Sequence, residues 1–210
     1  MSFYTGTQVE CLYAMPASGP AVTAAAATVM SGTTAINPPY ALPLGFFQQQ
    51  SGSGPGKSLL VKGGGWFTVG STAVTTIFQI GLNSTAGTGT IALPFGKTGT
   101  MTTLASQSNC GFMFEVLVTS TSPGFGATTT ALNAVGKFEI GNANNAATAT
   151  WGTTSATSTA QIYGYMIGTP QTAVAPVPTT QYFVECSNTW SVTTGAPTIT
   201  LTNFMIFGLN

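Results

Sequence analysis

The chain has 210 residues, with four Lys, four Glu and no Arg, Asp or His, so its net charge is zero and only 4% of it is charged, against about 25% in an ordinary soluble domain. That balance argues against a nucleic-acid binder, which needs clustered Lys or Arg to displace counterions, and against electrostatic docking on anionic lipid. Without His or Asp there is no Ser-His-Asp, Cys-His or imidazole-metal arrangement, and the longest apolar stretches, 21–30 and 204–209, fall short of the ~20 residues that span a membrane.

Residues 1–57 hold five Pro-containing steps, Met15-Pro16, Gly19-Pro20, Asn37-Pro38-Pro39, Leu42-Pro43 and Gly54-Pro55. Proline at this density prevents long helices and interior strands. Apolar residues lie between the prolines, among them Phe3, Tyr4, Leu12, Tyr13, Tyr40, Leu42, Leu44, Phe46 and Phe47, whereas disordered linkers are poor in them. The segment is therefore expected to be an arm lying along its own domain or a neighbour. Within it Ala21–Met30, rich in the best helix former, predicts a short helix that needs packing to persist. Gln48–Gly56 reads as a hinge.

The hinge ends in Gly56-Lys57-Ser58, the close of a phosphate-binding loop. The pattern G-x-x-x-x-G-K-[ST] requires Gly at 51, where the chain has Ser51, and it requires a helix to follow. Gly63-Gly64-Gly65 lie just downstream and oppose a helix, and no Asp is available for a Walker-B magnesium site. A linker running into a first strand is the better account.

From residue 58 the pattern becomes strand and turn. Leu59–Val61 and Trp66–Val69 predict one bulged strand or two short ones around the glycines. Thr75–Leu82 alternates, and Gly89–Leu93 predicts a short strand before Pro94. In Cys110–Thr121, Phe112, Phe114, Val116 and Val118 form a uniformly apolar face that should point to a core, with Met113, Glu115, Leu117 and Thr119 opposite. Ala134–Gly141, Gln161–Ile167, Gln181–Cys186 and Thr198–Phe207 complete the series. Thr supplies roughly a fifth of the residues and, being β-branched, suits strands. The fold class predicted is all-β: a jelly-roll-like antiparallel β-sandwich over 58–210 with an extended N-terminal arm and hinge over 1–57. An up-and-down barrel is the alternative.

Few residues offer chemistry. Glu10, Glu115, Glu139 and Glu185 are the only side-chain carboxylates. Glu115 and Glu185 are conceivable as a glycosidase pair, yet each lies in an alternating strand opposite an apolar face and is expected to meet solvent or a Lys. Glu115 with Lys62 or Lys137 is the natural cross-strand pair. No enzymatic activity, catalytic residue, cofactor site or metal site is expected. Trp66, Trp151 and Trp190 suit either a sugar platform or a core and subunit interface. The odd trio Cys11, Cys110 and Cys186 argues against a disulfide framework and for folding in a reducing cytoplasm; Asn83-Ser84-Thr85 is then a chance glycosylation sequon.

The stretch "LPLGFFQQQSGSGPGKSLLVKGGGWFTVGSTAVTTIFQIGL" resembles the opening of small β-sandwich virion proteins of tailed bacteriophages, and "YFVECSNTWSVTTGAPTITLTNFMIFGLN" resembles their closing strands. The resemblance implies a capsid decoration (cement) or minor head protein. Such a subunit would be made in the host cytoplasm and sit on the capsid surface. It would form a homo-oligomer, expected to be a trimer, and clamp the major capsid protein, with neither nucleic acid nor membrane as partner. Phe3, Tyr4, Tyr13, Tyr40, Phe46 and Phe47 are the expected assembly anchors, in an arm whose removal would leave a folded domain. A tail-fibre or receptor-binding module that holds glycan through Trp151 or Trp190 is the alternative.

Overall fold

Apolar residues at a period of two build two sheets that bury their facing sides against each other. The computed structural model describes residues 9–32, 37–48, 57–98, 100–122, 131–141, 150–151, 161–167 and 176–209. The strands are β1 (Val9–Ala14), β2 (Thr28–Val29), β3 (Tyr40–Leu42), β4 (Ser58–Val69), β5 (Thr75–Asn83), β6 (Leu93–Lys97), β7 (Met101–Thr102), β8 (Gln107–Ser122), β9 (Ala131–Gly141), β10 (Thr150–Trp151), β11 (Gln161–Ile167), β12 (Tyr182–Trp190) and β13 (Thr198–Leu209). A seven-stranded sheet runs β1-β13-β4-β8-β9-β11-β10 and faces a second sheet, β2-β12-β5-β6, to which β3 and β7 add pairings. All pairs are antiparallel except β10 with β11. The antiparallel β-sandwich expected from the sequence is thus the architecture observed. The first two long strands and the last two nest, β4 with β13 in one sheet and β5 with β12 in the other.

The core lies where the sequence placed it on β8, since Phe112, Phe114, Val116 and Val118 are all buried. Phe78 of β5 reaches across the sandwich, its ring centroid 4.8 Å from that of Phe114 and 4.9 Å from that of Phe138. Rings at that separation add about 0.5–1.5 kcal/mol to their burial.

The three glycines do not interrupt β4. A Cβ on Gly63 would stand 2.5 Å from the Phe114 ring, one on Gly64 2.7 Å from the Phe112 carbonyl oxygen, and one on Gly65 would strike the Thr200 carbonyl. The absent side chains are what let β8 and β13 close on both sides of β4, and a register shift at Leu201/Asn203 sits beside them.

Two local expectations change. Ala21–Met30 is not a helix, and no helix occurs among the described residues. Val22 bridges Ile199, β2 pairs β12, and the Met30 amide donates to the Cys186 carbonyl at 2.9 Å. The sandwich's own free backbone groups outcompete a marginal ten-residue helix. The strand expected over Gly89–Leu93 instead spans Leu93–Lys97 and contains Pro94, which is tolerated because β6 is an edge strand of its path.

The arm follows its own domain. Its buried residues Val22, Met30, Leu42, Phe46 and Phe47 belong to the single core cluster. Asn37, fully buried, donates to the Ala17 carbonyl at 2.9 Å and accepts from the Ala17 amide at 3.2 Å. The Gln181 side chain donates to the Leu42 carbonyl. The described arm residues 9–32 and 37–48 therefore pack as part of the sandwich.

Candidate functional site: the outer face of the seven-stranded sheet

The phosphate-loop resemblance has no structural counterpart in the described residues. Ser58 opens a strand, and the Lys57 ammonium stands 5.9 Å from the Phe46 ring centroid, a cation–π distance; residues 51–56 lie outside the described residues.

Of the expected assembly anchors, Phe46 and Phe47 are buried in this chain and meet edge to face at 5.1 Å. Tyr13 of β1 and Tyr40 of β3 are half-buried, their rings 5.9 Å apart, and together they join the two sheets at one edge. Burial raises both hydroxyls above the ordinary tyrosine range, and Glu10 raises Tyr40 further. These four residues spend their aromatic surface on the chain's own closure. Phe3 and Tyr4 lie outside the described residues.

The tryptophans separate. Trp190 is 0% exposed, and its indole N–H donates to the Val22 carbonyl at 3.0 Å, so it cannot serve as a sugar platform. The side chain of Trp151 lies outside the described residues. Trp66 is 53% exposed.

The carboxylates separate too. Glu115 and Glu185 lie in different sheets, so they do not form a pair. Glu115 takes the Lys62 ammonium at 3.1 Å, as the cross-strand expectation had it, while Lys137 turns to Glu139 at 3.2 Å. Glu185, expected to face solvent or a Lys, is instead fully buried. Its oxygens accept from the Asn83 side-chain amide and the Gly87 backbone amide, both at 2.6 Å. Asn83 in turn accepts from the Ala92 amide at 2.7 Å, so the loop 84–92 is held by this carboxylate.

Desolvation raises the Glu185 carboxyl above its usual range, against the lowering effect of those two donors. It also pushes up the neighbouring Cys186 thiol, with Glu185 adding to the effect. A carboxyl raised in the folded state contributes stability that is fully present below its unfolded value, near 4.5, and is lost as pH rises through the folded value. The melting temperature is therefore expected to fall as pH rises above 4.5 on account of this group. Glu185→Gln should flatten that slope in thermal melts across the same range.

What remains open is the outer face of the seven-stranded sheet. Strand alternation sends Leu60, Lys62, Gly64 and Trp66 of β4 outward beside Leu117, Glu115, Met113 and Gly111 of β8, partner for partner. β13 adds Phe207, Met205 and Asn203, and β9 adds Val135, Lys137 and Glu139, in the same rows. Met113 is 53% and Val135 54% exposed. Half of the chain's eight charged residues sit here and cancel one another as two ion pairs. A depression of about 410 Å³ opens over Gly63–Gly65 and Gly111, walled by Trp66 and Met113. A Cβ on Gly111 would stand 3.8 Å from the Trp66 ring, which leans over that glycine.

Such a face offers flat apolar contact with a few fixed charges. Among the described residues no group of three or more Cys, His, Asp or Glu is gathered, and no helix is long and apolar enough to cross a membrane. The available signal for this face was the period of two running from Leu60 to Trp66. It was obscured because Gly63–Gly65 leave open whether one strand or two is present. Comparison with protein families, curated proteins and solved structures finds no match for the chain.

Proposed function

We propose that this chain is a structural assembly subunit, a decoration (cement) protein on the head of a tailed bacteriophage that stabilises the shell by joining neighbouring subunits. The observation that carries this is the outer face of the seven-stranded sheet, where Trp66, Met113 and Val135 stand exposed among mutually neutralised Lys and Glu. Exposed apolar side chains rimmed by polar ones suit a contact site, and a chain of zero net charge has little repulsion to keep copies apart. The virion setting rests on the resemblance of residues 42–82 and 182–210 to small phage sandwich proteins. This sheet face is the contact surface the chain offers in assembly, because the described arm residues 9–32 and 37–48 are occupied at home.

A second reading, a glycan-binding module, draws on Trp66 beside the polar-rimmed depression. Cryo-electron microscopy of purified particles decides between them. The expected map places the subunit on the capsid surface with the seven-stranded sheet turned away from solvent. A subunit found at fibre tips with Trp66 facing outward overturns the decoration role.

A further inference from the structure

We infer that the outer face of the seven-stranded sheet pairs with the same face of a second copy, about a two-fold axis that runs along the strands between β4 and β8. The inference rests on the assembly reading and names its partner. It comes from the order of side chains in four successive cross-strand rows: Leu60 with Leu117, Lys62 with Glu115, Gly64 with Met113, and Trp66 with Gly111. Each row is apolar with apolar, positive with negative, or large with small, and the large member changes strand between the last two.

Rotation by half a turn about that axis lays β4 of one copy over β8 of the other with the rows unchanged. Each Lys62 then lies over the partner's Glu115, and the two pairs close a ring of alternating charge. Each Met113 stands over the partner's Gly64, where the depression is. Each Trp66, leaning over its own Gly111, comes against the partner's Trp66 at the axis. A two-fold interface must be self-complementary in this way, with residue i on j and j on i.

The flanking strands obey the same operation, since β13 and β9 lie next outward on either side. Phe207 meets Val135, and the aliphatic stem of Lys137 meets Met205. Sheets packed face to face lie about 10 Å apart and rotated by about 30°, so the central rows, which hold the charges and the glycine trough, register best. A shift of the axis by half a strand spacing would lose this match: with the axis on β8 itself, Lys62 would face Lys137.

Sedimentation equilibrium of the full chain over the micromolar range tests this, with Lys62→Glu, Glu115→Lys and the double reversal. The wild type is expected to be a dimer. Each single reversal should weaken dimerisation at least about tenfold, since it sets like charges across the axis, and the double reversal should restore it. Met113→Glu, at an exposed position, should also give a folded monomer and serves if a charge reversal perturbs folding. A monomeric or trimeric wild type overturns the inference, as does a dimer indifferent to Lys62→Glu and Met113→Glu, or a monomer that uses Trp66 to hold glycan. A dimer absent from particles supports the pairing while overturning the virion role, and a monomer found on capsids does the reverse.

Discussion

A chain beginning at Lys57 is expected not to fold, contrary to what the proline-rich composition of the first segment suggests. Val22, Val29, Met30, Leu42, Phe46 and Phe47 are all buried against the sandwich. Burial of such side chains contributes about 1.5–3 kcal/mol each, so together they rival the whole net stability of a domain, about 5–15 kcal/mol. Their removal also uncovers Trp190 and Ile199 and strips β12 of β2 and β3 and β13 of β1. The expected outcome is aggregation on size exclusion and no cooperative thermal transition. A truncated chain that melts cooperatively within a few degrees of the full chain would show that the arm is dispensable to the core.

Trp190→Ala should be the most damaging single substitution, and Trp66→Ala nearly silent for stability. Trp190 is the largest fully buried side chain among the described residues, and its N–H satisfies the Val22 carbonyl. Truncation of a buried Trp costs about 3–5 kcal/mol, which for a chain of this size lowers the melting temperature by roughly 6–20 °C. Trp66 stands half in solvent, and surface changes are usually within about 0.5 kcal/mol; its loss should appear in association instead. Calorimetry of the two variants separates the roles. Equal destabilisation by both would mean that Trp66 packs as a core residue and that the outer face is not a free surface.

The strands with a strict two-residue period were legible because that period is local. Phe112 to Val118 had to share a face whatever lay opposite, and the same holds for the first half of β13, from Thr198 to Leu201. The end of β12 was not legible, since Ser187, Asn188 and Thr189 carry no apolar pattern and belong to the strand because β5, and for the first two β2, pair them. Met101–Thr102 and the short strands of the arm are likewise made by their partners.

The candidate face was half legible. Glu115 could be assigned a cross-strand Lys, with Lys62 and Lys137 both open, but Trp66 could not be placed until Gly63–Gly65 were seen to continue β4. Those glycines look like a break in sequence and act as a seam, because what they accommodate, the Phe114 ring and the Thr200 carbonyl, comes from strands far along the chain.

The sequence alone determined the class of fold, the neutrality of the chain and the departure of residues 51–58 from the phosphate-loop pattern, all of which follow from residue type and nearest-neighbour spacing. Only the tertiary structure decided which tryptophan is inside, that the arm belongs to the core, that Glu185 is closed under its loop, and which face is left bare. A residue's type fixes the free energy gained by burying it, whereas the element that buries it is supplied by distant parts of the chain.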